Sequence, residues 1–330
     1  MTLRLVRNLV AGVTSPAAME RKLISIVTPC YREELNVPVH FDRILKTIEP
    51  YRAKYDFEHI YTDNCSSDRT FEKLLELSNS HPNVRVLRFS RNIGANRAIY
   101  QGIIHAKGDA VILVQADLQD PPELISDFVK YWEEGFDVVY GQILDREENW
   151  LLKRMRRLYY NLVSSLAEVQ PPRNAGEFRL MSKRVVDAVK LYREDDIYLR
   201  GVIAHVGFGQ KAIPYRRAPR ERGRTSTNLL FLIGYGLNGL TSTTVAPLRA
   251  VTVVGMFFAA ISFLIGLFTA GYKILFPAFI PHGVTTLATL VTFFAGIQIL
   301  ALGIIGEYIR KIYVQSLERP QAIIQDKVNF

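Results

Sequence analysis

Between residues 23 and 143 the chain alternates short apolar-rich runs with segments whose apolar positions recur every three or four residues. The runs LISIVTP (23–29), EHIYTD (58–63), VRVLRFS (84–90), AVILVQAD (110–117) and FDVVYGQI (136–143) predict strands. The segments near 36–49, 68–79, 94–106 and 122–134 predict amphipathic helices. This rhythm predicts an α/β fold, a mostly parallel sheet flanked by helices on both faces. A helix near 147–166, a strand and helix over 177–191, a helical stretch over 195–206 and a strand over 210–216 complete a soluble domain.

The pattern then changes. Residues 227–247 are apolar, glycine-rich and uncharged, which predicts an interfacial segment against a bilayer. Residues 250–272 and 274–306 contain no Asp, Glu, Lys or Arg. A span needs about 20 apolar residues, so helices are expected at about 250–272 and, after Pro277, Pro281 and Gly283, at 284–306. Arg249 precedes this hairpin, Arg310 and Lys311 follow it, and its loop offers only Lys273 and His282. The positive-inside rule places both ends in the cytoplasm. The expected organisation is an N-terminal extension (1–22), a cytoplasmic domain (23–226), the interfacial segment (227–247), two transmembrane helices (248–306) and a cytoplasmic tail (307–330).

Charge refines the picture only locally. The net charge is +9, and Arg216, Arg217, Arg220, Arg222 and Arg224 cluster just before the hairpin. Attraction to anionic lipid headgroups accounts for that placement better than nucleic acid does. The two cysteines, Cys30 and Cys65, offer neither a disulfide framework nor a zinc pattern.

Chemistry gathers at strand ends. The stretch VILVQADLQDPPELI (111–125) runs from a buried-type strand into Gln115, Asp117, Gln119 and Asp120, and Pro121–Pro122 open the next helix. Ligands of parallel sheets bind beyond the carboxyl ends of the strands. On extended backbone Asp117 and Gln119 project the same way, so one Mg²⁺ or Mn²⁺ holding a diphosphate could touch both. Glu33 ends the first strand and Asp63 the second, where an acid can accept hydrogen bonds from a base or ribose. Asp68 is placed to cap the following helix. No G-x-G-x-x-G follows the first strand, which argues against a dinucleotide enzyme.

The segments TPCYREE, DNCSSDRT, RNIGANRA, QADLQDPPE, GEFRLMS, RERGRTS and GEYIRKIYVQSLERP occur in an order that resembles the polyprenyl-phosphate glycosyltransferases of inverting family 2, the dolichol-phosphate-mannose-synthase-like group. The hairpin resembles the two-span bacterial members that charge undecaprenyl phosphate with one sugar. The resemblance implies a GT-A-type catalytic domain in the inner (cytoplasmic) membrane, multi-pass, with both termini cytoplasmic. It assigns Pro29, Tyr31, Glu33, Tyr61, Asp63, Gln115, Ala116 and Asp117 to the nucleotide-sugar, with Tyr61 and Asp63 at base and ribose. By the same resemblance Asp117 and Gln119 are expected to hold the metal, Mg²⁺ or Mn²⁺, and Arg146, Arg220 and Thr225 the acceptor phosphate, with Asp117 and Arg220 as the expected catalytic residues. The implied donor is UDP-glucose and the acceptor undecaprenyl phosphate; a dimer or tetramer fits the group. The chain departs from the pattern at Gln115 (usually Asp), Arg32 (usually Asn), Asn64 in DNCS (usually DDGS) and Ser226 (usually Lys). Gln115 keeps open the rival of a catalytically impaired scaffold. A processive polysaccharide synthase of the same fold would need more membrane helices and a Q-x-x-R-W motif, and neither is here.

Overall fold

The computed structural model describes residues 21–144, 154, 172, 174–195, 197–218, 244–275 and 283–330. Its centre is an eight-stranded sheet in the order β7-β5-β6-β4-β1-β2-β3-β8. The strands are β1 (Lys22–Cys30), β2 (Tyr55–Asp63), β3 (Val84–Phe89), β4 (Ala110–Leu113), β5 (Val138–Ile143), β6 (Ala175–Ser182), β7 (Gln210–Tyr215) and β8 (Ile324–Val328). The helices are α1 (Val37–Ile48), α2 (Thr70–Ser80), α3 (Ala95–His105), α4 (Ile125–Glu133), α5 (Lys183–Val189), α6 (Leu199–Val206), α7 (Ala246–Leu275) and α8 (Val284–Ser316).

β3, β2, β1 and β4 run parallel, as the alternation of strands and helices predicts. β6 enters antiparallel to both β4 and β5, and β7 pairs parallel with β5. Apolar side chains fill both faces. Ile99 and Ile103 of α3 pack with α5 and α6 on one side. Ile44 of α1 and Phe128 of α4 pack on the other, where Val37 of α1 also meets Leu74 of α2. Fully buried Ile24, Ile26 and Val27 make β1 the spine of the domain. Gly102 lets α3 lie directly on it, because a Cβ there would come within 2.3 Å of the Val27 Cγ1 methyl.

The chain returns to β4 beside β1 after placing β2 and β3 on the far side, so the order reverses between β1 and β4. This is the switch point at which the loops diverge and leave a crevice.

Among the described residues two helices are long and apolar enough to cross a membrane, and their apolar windows, Ala246–Ile265 and Phe293–Ser316, are unburied by protein. α7 begins four residues earlier than the span expected from 250, and α8 starts at Val284 as expected but continues past 306 to Ser316. The hairpin is joined by the Phe258 and Phe294 rings, 5.4 Å apart, and by the Tyr308 hydroxyl donating to the Thr244 carbonyl at 2.9 Å. Residues 227–243 of the expected interfacial segment, and most of the helix expected at 147–166, lie outside the described residues.

The last residues are part of the sheet. β8 pairs antiparallel with β3, covering an edge that would otherwise present open backbone groups. Asn329 secures it by donating to the carbonyls of Ser78 and Val84, both at 2.9 Å.

Candidate active site

The loops beyond β1, β2 and β3 form one stitched rim. Asn64 N–H donates to the Cys30 carbonyl at 2.9 Å, and Arg32 N–H donates to Ser66 Oγ at 3.1 Å. The Asn64 amide donates to Asn92 Oδ1 at 3.0 Å while its own oxygen accepts the Ile93 N–H at 2.8 Å. Arg32 and Cys65 adopt left-handed backbone, with φ of 58° and 57°, and so turn the loops back on themselves. Glu33 belongs to this framework: its carboxylate accepts from Asn36 at 2.5 Å, and its N–H donates to Thr70 Oγ1 at 2.8 Å. Asp68 accepts from the Thr70 N–H at 3.2 Å, but it stands one residue before the N-cap position, which Arg69 occupies, so it bonds the turn entering α2 and is not the expected N-cap.

Of the residues expected at the nucleotide, Glu33, Tyr61, Asp63 and Ala116 are buried. Tyr61 is 0% exposed, stacked on His59 with ring centroids 4.1 Å apart, its hydroxyl 3.4 Å from His40 Nδ1. It is a core residue and offers no face to a base, because the strand carrying it is paired on both sides and its ring points into the core. Asp63 is also 0% exposed. Its Oδ1 accepts the Ser66 N–H at 3.2 Å, and its Oδ2, without a hydrogen bond, lies 3.5 Å from Arg88 Nε. Burial pushes the Asp63 carboxyl up, opposed by Ser66 and Arg88. Ala116 is buried, whereas Pro29, Tyr31, Gln115, Asp117 and Gln119 remain partly open.

The loop after β4 differs from expectation in shape. The strand ends at Leu113, so residues 115–117 are already loop. Leu118 is left-handed, with φ 60°, and its side chain is buried. The Gln119 N–H donates to Asp117 Oδ1 at 3.2 Å. Asp117 and Gln119 therefore flank a tight turn and do not project together from extended backbone; the Asp117 side chain bonds the turn it was thought to ride on.

This turn meets the end of β7. The Tyr215 hydroxyl donates to Asp120 Oδ1 at 2.5 Å, and Gly141 makes room for the ring, since a Cβ there would stand 2.6 Å from Tyr215 Cε1. The Ala218 N–H donates to the Gln119 carbonyl and the Gln119 side-chain amide donates to the Ala218 carbonyl, both at 3.1 Å. Between them lies Arg217. Its Nε is 3.1 Å from Asp120 Oδ1, and its Nη2 is 3.3 Å from Asp117 Oδ2 and 3.5 Å from Gln115 Oε1. Burial pushes the Asp120 carboxyl up, against the pull of Arg217 and Tyr215.

A buried acid from β6 completes the corner. Glu177 accepts from Arg200 Nε at 2.5 Å and lies 3.5 Å from Arg179 Nη2. Burial works against its charge, yet Arg200, Arg179 and Arg217 together hold its carboxyl below the usual range. Asp120 lies in the polar cluster that the sequence places after the fourth strand, whereas Glu177, Arg200 and Arg217 are residues that strand ends do not reveal. Arg217 belongs to the arginine cluster whose place before the hairpin suggests lipid contact, and only its position just beyond β7 hints otherwise. Arg146, Arg220 and Thr225 lie outside the described residues.

Among the described residues no group of three or more His, Cys, Asp and Glu side chains could hold a metal. What the turn offers is one partly open carboxylate, Asp117, with the amide oxygens of Gln115 and Gln119 nearby in sequence. These are hard oxygen donors. They fit Mg²⁺ or Mn²⁺, which characteristically take one or two carboxylates and complete their shell with substrate phosphate and water.

The glycosyl transferase family 2 model matches residues 25–190. An uncharacterized glycosyltransferase of Synechocystis sp. is 34% identical over 304 residues, 92% of this chain and 95% of that one. A bactoprenol glucosyl transferase of Shigella phage SfV is 35% identical over 307 residues, 92% of this chain and 98% of that one. Among solved structures, a mannosyltransferase from Pyrobaculum calidifontis in complex with GDP-Man and Mn²⁺ aligns over 88% of this chain and 89% of its own, with 16% identity and a TM-score of 0.45. With the family model spanning β1 to β6 and relatives matched almost end to end, the chain belongs to glycosyl transferase family 2 and is a glycosyltransferase.

Proposed function

We propose that this enzyme moves one glucose from UDP-glucose to undecaprenyl phosphate at the cytoplasmic face of the inner membrane, with inversion at the anomeric carbon. One observation carries the reading: the donor-type turn 115–120 is hydrogen-bonded to residues 215–218, which lead into the 220–225 acceptor segment and on to the membrane helices. The printed name of the phage relative supports the choice of sugar and carrier. The hairpin is bracketed in sequence by β7 and β8 of a single sheet, which supports an even number of crossings and both flanks on one side.

The nucleotide is assigned to the open rim at Pro29 and Tyr31 and to Gln115 and Asp117, with Asp63 fixing the rim from beneath. Asp117, with Gln119, would hold Mg²⁺ or Mn²⁺. When bound, such an ion neutralises charge developing on the leaving diphosphate. The acceptor needs no general base, because a phosphate monoester with a second pKa of about 6 is mainly a dianion at neutral pH. The protein's task is alignment: Arg220, Arg146 and Thr225 orient the attacking phosphate oxygen opposite the departing diphosphate. Attack from that side gives inversion.

A donor screen on membranes containing undecaprenyl phosphate tests this. Label from UDP-glucose should enter the lipid fraction in a metal-dependent reaction. Transfer from another nucleotide-sugar alone would reassign the donor. Donor binding without transfer to any polyprenyl phosphate would favour the scaffold reading that Gln115 raises.

A further inference from the structure

The corner between the 115–120 turn and β7 is balanced in charge. Three carboxylates, Asp117, Asp120 and Glu177, face three guanidiniums, Arg179, Arg200 and Arg217. Glu177 is served by Arg179 and Arg200, which leaves Arg217 as the described cation in contact with both acids of the turn. Arg217 stands where a cation joining the turn would stand, and the chain itself supplies it.

The balance has a chemical consequence. A bare dication entering this corner must compete with a guanidinium already bonded to Asp117. A bare nucleoside diphosphate must enter beside three carboxylates. A complex of the two brings no net charge when the diphosphate is esterified to a sugar, and its phosphates give the displaced guanidinium a new partner. Arginine suits both roles, because its fork matches carboxylate and phosphate alike.

We propose, building on the donor-site reading above, that Arg217 is a positioning residue that acts as the resident cation of the donor turn. It holds Asp117 and Asp120 together before substrate arrives, keeps bare divalent metal out, and moves from Asp117 to the diphosphate when the metal–nucleotide complex binds. Ala218, the next residue, is hydrogen-bonded to Gln119 through both its N–H and its carbonyl.

The test uses full-length protein in detergent micelles, with Mn²⁺ binding followed by electron paramagnetic resonance with and without UDP. In wild type, UDP should strengthen Mn²⁺ binding markedly, since coupling between two ligands is reciprocal. Arg217→Gln keeps a hydrogen-bonding side chain but removes the charge. It should bind Mn²⁺ in the absence of nucleotide at least about tenfold more tightly than wild type, and UDP should add less. Arg217→Lys keeps the charge and should stay near wild type in nucleotide-free Mn²⁺ affinity. A gain of metal affinity is not what a purely structural arginine would show on removal, and thermal unfolding with and without Mn²⁺ checks that each variant is folded. Unchanged or weaker nucleotide-free Mn²⁺ binding in Arg217→Gln overturns the proposal, as does equal tightening in Arg217→Lys. Failure of wild type to bind Mn²⁺ and UDP together in an Asp117-dependent way would instead sink the donor-site reading itself.

Discussion

The two halves of the site rim are held by different forces. Beyond β1, β2 and β3 the loops are cross-linked chiefly by hydrogen bonds through Asn64, Ser66, Asn92 and the backbone, with the buried Glu33 and Asp63 carboxylates tied in beneath them, over a core that keeps Tyr61 and His59 dry. Beyond β4 and β7 the contacts are ionic, with Arg217 between Asp117 and Asp120 and Arg200 on Glu177. Short-range neutral bonds hold a shape but offer an incoming ion little to replace. Ionic contacts can be exchanged, because a ligand of the right charge substitutes for either partner. On the proposed function, the first region would recognise shape, and the second would exchange charge with the substrate.

The strongest test is Asp117→Ala in the exchangeable half. Loss of the one partly open carboxylate of the turn should lower transfer by about a hundredfold or more, with the protein still folded. Retention of more than half the wild-type rate in saturating Mn²⁺ would remove the metal from the mechanism. Next comes Arg220→Ala, which on the proposed reading removes a charge-assisted bond to the acceptor phosphate worth about 1.5–3 kcal/mol and should slow transfer roughly ten- to a hundredfold. Donor affinity, measured by UDP titration, should barely move; an equal loss of donor binding would shift Arg220 to the donor side.

In the neutral half, Asn64→Ala strips partners from the Ile93 N–H and from Asn92. A destabilisation of about 1–3 kcal/mol is expected in chemical denaturation, together with a raised KM for the donor and little change in kcat. A fall in kcat alone would mean that this rim does more than hold shape.

A smaller effect concerns pH. Burial, with Arg43 adding to it, lowers the His40 pKa from 6.5 to about 3, and burial with His40 lowers that of His59 well below its ordinary value. Both are neutral in the folded protein, while the unfolded chain takes up protons first. Stability from these groups is therefore complete above pH about 6.5 and declines as pH falls toward about 3. Denaturation midpoints across that window should show the decline, and His40→Gln should flatten it; an identical slope in the variant would exclude His40 as its source. Smallest of all, Arg216→Ala should leave transfer unchanged, because Arg216 is exposed while its neighbour Arg217 turns inward. A loss comparable to that of Arg220→Ala would place Arg216 in the acceptor site.

Much of this protein was legible from local pattern. The first three strands and the helices between them fall close to the expected ranges, because apolar periodicity reports directly which face of a segment is buried. The two long apolar helices were legible for the same reason: continuous apolarity over about 20 residues has few other uses. The family resemblance rested on short segments in order, and it held. What pattern could not supply were pairings across distance. Arg217 meets Asp117 from 100 residues away, and nothing in either neighbourhood names the other. The left-handed Leu118 is held by burial of its side chain, which a propensity for extended backbone does not foresee. Tyr61 reads as a strand-end aromatic until β1 and β3 are placed on both sides of it. The tail read as an appendage, but β8 closes the β3 edge, since the open backbone groups of an edge strand accept whichever segment the fold brings alongside. The amino-acid order by itself determined which segments are strands, helices and membrane-length runs, because those depend on neighbours along the chain. Only the tertiary structure decided which charges meet and which edge is closed, because those depend on where separate segments come to rest.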